Sequence, residues 1–169
     1  GINTSGNVIA ANFEANPGGQ NFPISGTNAI TNNVWHHAAA NFDGTTWKLY
    51  LNGNLENTST PGAVPRSDTI QRAALGAMIT STGTALGRFE GVIDEARVWN
   101  YARTASEIQA SKNAEVTSGS GLVARWGLNE GAGATVGDSL STPANGTIIG
   151  SGYVWTTGFV PPVPGNLPP

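Results

Sequence analysis

Cysteine is absent from the 169 residues, which excludes disulfides and thiolate metal sites alike. Charge is scarce too: Asp, Glu, Lys and Arg make up 11% of the chain, against roughly 25% in ordinary soluble domains. Only two lysines occur, Lys48 and Lys112, and the net charge of −3 leaves no basic footprint for a nucleic acid. No apolar run approaches the roughly 20 residues that a membrane-crossing helix needs, so membrane insertion is not expected. The chain opens at Gly1 without a signal peptide, as a processed export product also would.

What the chain has instead is 23 Gly and 10 Pro, which cut it into short segments and favour β structure over helix. Its length suits one domain with a real core. Ser, Thr, Asn and Gly must supply the polar surface, a composition that suits an exported bacterial surface protein.

Several runs alternate apolar and polar residues. NVIAANFE (7–14), TNAIT (27–31) and WHHAAANF (35–42) read as strands. In TWKLYLNGNLENTS, Trp47, Leu49 and Leu51 alternate with Lys48 and Tyr50, and Asn52-Gly53 predicts a tight hairpin. TIQRAALGAM (69–78) reads as another strand, TSTGTALG (80–87) as a loop, and FEGVIDEARVWN (89–100) as one long strand. Thr104 followed by Glu107 fits a capping box, predicting a short helix over about 105–113. Further on, Leu122, Ala124, Trp126 and Leu128 alternate, and NGTIIG (145–150) reads as a second short strand.

The long strand raises a question. Alternation puts Asp94 on the same face as Ala96 and Val98. If that is the core face, Asp94 is a partly buried acid that must be paired, hydrogen-bonded or metal-bound.

WHHAAANFDGTTWKLYLNG, followed by FEGVIDEARVWNYARTASEI, resembles the C-terminal half of a laminin-G-like domain of the concanavalin A-like lectin/glucanase superfamily. The resemblance covers about residues 7–113. It implies an all-β fold, an antiparallel jelly-roll sandwich, here with one short helix. GLVARWGLNEGAGATVGDS with ANGTIIG (121–150) is similar to the opening hairpin of the same domain type, which normally comes first. Three explanations compete: a fragment of a longer polypeptide, a permuted closure, or strands donated by a partner chain. The expected division is a sandwich over 1–117, a hairpin segment over 118–157 that packs back on it, and a proline-rich linker over 158–169.

The resemblance also implies a structural calcium site, with Asp94 and Asp138 as ligands and Glu130 as a weaker one; calcium would need six to eight oxygens. The competing account of Asp94 is an acid held by backbone N–H groups or an arginine. The acidic loop of the calcium-binding pentraxins has no counterpart in AMITSTGTALG. His36 and His37 point to opposite faces of a strand and cannot chelate one metal together; one is expected to pack under the sandwich edge. Asp94 and Glu95 fail as a catalytic dyad for the same reason, and the glucanase pattern of two Glu flanking an Asp does not occur. Among the aromatics, Trp47 belongs with the core face. Tyr50, on the opposite face, and Trp155 are the candidate ligand-surface rings. The sequons at Asn3, Asn57 and Asn145 need no explanation beyond chance in so Asn- and Thr-rich a chain.

The expected function is therefore non-catalytic: an extracellular adhesion or carbohydrate-binding module of a larger surface protein. Its partner would be a glycan or an extracellular protein. The rival expectation is a structural repeat that associates with copies of itself, and a third is an accessory domain of a glycan-active enzyme.

Overall fold

The computed structural model describes residues 1–67 and 73–161. The chain forms two compact units, Gly1–Gly91 and Val92–Pro169.

In the first unit, β1 (Ile2–Asn3), β2 (Val8–Ala11) and β3 (Ile24–Ala29) make one antiparallel sheet in that order. A second antiparallel sheet runs β4 (Ala38–Phe42), β5 (Trp47–Leu51), β6 (Asn54–Ser59). The second is dictated by its turns. Asp43 accepts the N–H groups of Thr45 at 3.0 Å and Thr46 at 2.7 Å, folding β4 back onto β5. Asn52 and Gly53 take φ values of 52° and 82°, the left-handed pair that a two-residue hairpin requires.

Ile9 and Ile24 of the first sheet pack with Leu49 and Leu51 of the second, with Ala11, Ile30 and Trp47 against them. This is the sandwich core. Truncating a side chain such as Leu49 there removes about 2–5 kcal/mol. Phe13 stacks on Phe22 and meets Trp47 edge-on, closing one side of the core with rings.

Tyr50 departs from expectation. It is 3% exposed, so the face opposite Leu49 and Leu51 is not an open surface, and the ring cannot serve as a ligand platform. β5 is the central strand of its sheet, and Tyr50 lies between its register partners Ala39 and Leu55.

Part of the expected strand over 69–78 lies outside the described residues; its last residue, Met78, begins β7 (Met78–Ile79). The expected loop 80–87 is a hairpin, because β7 pairs with β8 (Ala85–Leu86). Gly83, at φ +85°, lets the Thr80 N–H reach the Thr84 carbonyl at 2.9 Å.

In the second unit, β9 (Ala96–Trp99) pairs antiparallel with β10 (Leu122–Trp126), and β11 (Thr135–Val136) with β12 (Gly146–Thr147). Helix α1 (Ala105–Ser111) stands between β9 and β10 in sequence. Its capping box is formed: the Glu107 N–H donates to the Thr104 hydroxyl, and the Thr104 N–H donates to the Glu107 carboxylate at 2.7 Å. Ile108 is its buried residue. The helix stops at Ser111, short of 113, where the Ser111 hydroxyl donates back to the Glu107 carbonyl at 2.8 Å.

The expected twelve-residue strand over 89–100 is only Ala96–Trp99, because Glu95 adopts φ +52° and breaks the extended run. The second compact unit starts at Val92, and within it β9 takes its ladder partner from β10.

Candidate functional site

Glu95 is the place where the sequence pattern breaks. Its left-handed backbone takes Asp94 out of register with Ala96 and Val98, so Asp94 does not sit on a strand's core face. It is half-buried, and its Oδ2 accepts the Phe159 N–H at 2.7 Å. The acid that opened the sequence question is thus satisfied by a backbone amide 65 residues away. Gly158 lies so close that a Cβ there would collide with the Asp94 carboxylate. Residues 158 and 159, expected to belong to a free linker, are fixed by this contact; residues 162–169 of that linker lie outside the described residues.

Asp138 is 6% exposed. Its Oδ1 accepts the N–H groups of Arg125 at 3.0 Å and Leu140 at 3.2 Å, and its Oδ2 that of Ala144 at 3.0 Å. These bonds, foremost Ala144 and then Arg125, hold its carboxyl below the ordinary value. An N–H-lined nest stabilises the anion by itself. Glu130 is likewise engaged, accepting the Gly137 N–H at 2.8 Å. Among the described residues, no three His, Cys, Asp or Glu side chains gather as metal ligands. Asp94 and Asp138 have separate backbone partners, and this arrangement does not fit the calcium site that the resemblance implies.

Sequence reasoning missed a cluster of ion pairs around Arg125. The Arg125 Nη2 donates to the Glu95 Oε1, and its Nε to the Glu95 Oε2 at 3.3 Å. Nη2 also reaches Glu115 at 2.6 Å, and Arg97 stands 3.9 Å from Glu95. Arg125 occupies the face of β10 opposite Ala124 and Trp126, where alternation predicts solvent, yet it is buried. Gly127 makes room for it, since a Cβ there would crowd the guanidinium. Buried ion pairs of this kind fix geometry; removing one partner strands the other charge.

His36 is a structural link. Its Nδ1 faces the Asn52 Nδ2 at 3.3 Å, and its Nε2 lies 3.0 Å from the Thr31 carbonyl. The Thr31 N–H also faces this Nε2 at 3.2 Å, so the ring ties β5's hairpin turn to the segment after β3.

Trp155 is half-buried and shares its acceptor with a ring not singled out from the sequence, Tyr153. The Trp155 Nε1 and the Tyr153 hydroxyl each donate to the Gly133 carbonyl at 3.0 Å. Tyr153 is 42% exposed. Gly131 and Gly133, both at positive φ, have open space where a Cβ would stand.

A family model described as the concanavalin A-like lectin/glucanases superfamily matches residues 1–109. No curated protein matches the chain. Among solved structures, the chain is similar to a proposed carbohydrate binding protein from Bacteroides ovatus, with a TM-score of 0.61 and 25% identity over 77% of this chain and 38% of that one. It is also similar to an S-layer domain-containing protein from Clostridium thermocellum, with a TM-score of 0.43 and 24% identity over 54% of this chain and 45% of that one. The chain therefore spans less than half the length of either. A sandwich of short antiparallel strands, matched over most of its length by that family, identifies the chain as a member of the concanavalin A-like lectin/glucanases superfamily.

Proposed function

We propose that the chain is a non-catalytic carbohydrate-binding module of a larger extracellular protein. One observation carries the non-catalytic part: the acids that the sequence offered for chemistry all accept hydrogen bonds from the protein itself. Asp94 is held by Phe159, Glu95 by Arg125, Asp138 by three backbone amides, and Glu130 by Gly137. A glycosidase needs two carboxyls facing one bond across a cleft. Carboxylates committed to internal donors do not meet that need. The carbohydrate-binding part is supported by the superfamily and by the similarity to the Bacteroides ovatus protein.

The test is a glycan array with the purified chain, run beside a reducing-sugar release assay on the glycans retained. Retention without release is the expected result. An array blank at millimolar sugar overturns binding, and sustained release overturns the non-catalytic reading.

A second reading, an assembly contact on an extracellular surface, is favoured by the β7–β8 hairpin. Met78 and Leu86 face each other across it and both are exposed, where a solitary domain gains nothing from apolar side chains. Light scattering on the wild-type chain and on Met78→Ser/Leu86→Ser separates the two readings.

A further inference from the structure

We infer that Tyr153, Trp155 and the loop at Gly131–Gly133 form a stacking platform that takes the C–H face of a neutral pyranose sugar without a metal ion. This rests on the carbohydrate-binding reading above and gives it a location outside residues 1–109, the part of the chain that the family model covers.

The geometry begins with spacing. Tyr153 and Trp155 are two residues apart in a segment without helix or strand. Both reach the same acceptor, the Gly133 carbonyl, each at 3.0 Å. The two rings are thereby anchored at their polar ends, and little rotamer freedom remains to be lost when a ligand arrives.

Anchoring also decides what the rings can recognise. With the hydroxyl and the indole N–H committed to the protein, the exposed part of each side chain is chiefly carbon. Tyr153 keeps 42% of its surface in solvent, and Trp155 beside it is half-buried. An exposed, fixed, apolar ring plane complements the apolar face of a sugar whose hydroxyls lie in its own plane.

Space and charge narrow the class. Gly131 and Gly133 have nothing within 4 Å of an added Cβ, so the backbone beside the rings is open to close approach. Residues 129–137 and 149–157 contain no Lys, Arg or His, and Glu130 is the one acid among them. An acidic sugar finds no counter-charge there, and a neutral one needs none.

The experiment uses the chain as it stands, presented to immobilised neutral polysaccharides (β-glucan, galactan and mannan) and to an acidic one, with and without chelator. At least one neutral glycan is retained, equally in chelator, while the acidic one is not. W155A and Y153A each weaken retention about tenfold, the scale of one lost ring contact. Y153F keeps the ring and stays within about threefold of wild type, which separates stacking from hydroxyl recognition. Circular dichroism confirms that each variant is folded. For any variant that is not, transfer of saturation from sugar protons to the Tyr153 and Trp155 ring protons of the wild-type chain decides the matter.

Undiminished retention by W155A and Y153A overturns the location while leaving the carbohydrate-binding reading intact. Loss of retention in chelator overturns the metal-free mode. If the wild-type chain retains no glycan, both the platform and the broader reading fall, and a protein partner for the two rings becomes the alternative.

Discussion

The carboxylate of Glu56 on β6 grips Asn28 on β3 at two points: Oε2 accepts the Asn28 backbone N–H at 2.9 Å and Oε1 its side-chain amide at 2.8 Å. Oε2 also accepts the Thr27 N–H at 3.0 Å. Next along β6, the Asn57 side chain donates to the Ser25 carbonyl at 2.8 Å. The strands belong to different sheets, so these bonds join the sheets of the first unit along one edge without a ladder.

E56Q turns one acceptor of that grip into a donor facing a donor. It is expected to cost about 1–3 kcal/mol, read from urea unfolding. Burial would raise the Glu56 pKa, but the bonds from Asn28 and Thr27 outweigh it and hold it below the ordinary 4.5. A depressed folded-state pKa means the contribution is present above about pH 4.5 and lost as pH falls below it. The acid limb of the stability profile should therefore flatten in E56Q. An unchanged limb would show that Glu56 is not linked to folding.

Asp138 gives a second expectation. D138N must aim an N–H₂ group either at Ala144 or at the Arg125 and Leu140 amides, with a loss of about 1–3 kcal/mol. Because these amides satisfy the acid, wild-type melting temperatures should agree with and without chelator. A calcium ion bound at about 100 times its dissociation constant would add about 2.7 kcal/mol and several degrees. A chelator-sensitive melt would revive the calcium site.

The helix cap offers a titration. Glu107 is lowered to about 2, foremost by the Tyr101 hydroxyl and then by Thr104. Its stabilising effect is present above the ordinary 4.5 and disappears as pH falls through about 2. Y101F should move the Glu107 carboxyl resonance to titrate at higher pH in NMR, whereas T104A should cost about 1 kcal/mol at neutral pH. A Glu107 titration unmoved by Y101F would remove the hydroxyl as the main cause.

At Gly158, an alanine would force the Asp94 carboxylate away from Phe159. G158A and D94A are both expected to accelerate amide exchange at Phe159, and the double variant to add little to either. Fully additive effects would mean that the two residues act independently.

Much of the first unit could be read from the chain, because its devices are local. Asn52-Gly53 specifies a hairpin whatever surrounds it, and Thr104 with Glu107 specifies a helix start within four residues. The candidate site was less legible. Trp155 stood out as an aromatic, but its partner carbonyl at Gly133 and its neighbour Tyr153 are joined by folding and not by pattern. Asp94 reads from the sequence as an acid needing a partner, and Asp138 only as a calcium ligand beside it. Their partners are backbone amides, which every residue but proline carries and which no sequence pattern singles out. Tyr50 was misplaced because alternation tells which residues share a face and not whether the other face is also covered. Glu95 and Arg125 were invisible for a related reason, since a left-handed backbone at a glutamate has no signature of its own.

The Arg125 cluster has a consequence for how the molecule meets its medium. The chain carries only 8 basic and 11 acidic residues, and Glu95, Arg97 and Arg125 turn toward one another and away from water. What remains projects a weak field for dissolved ions to screen. Such a surface should keep its shape and its grip nearly alike in fresh water and in brine.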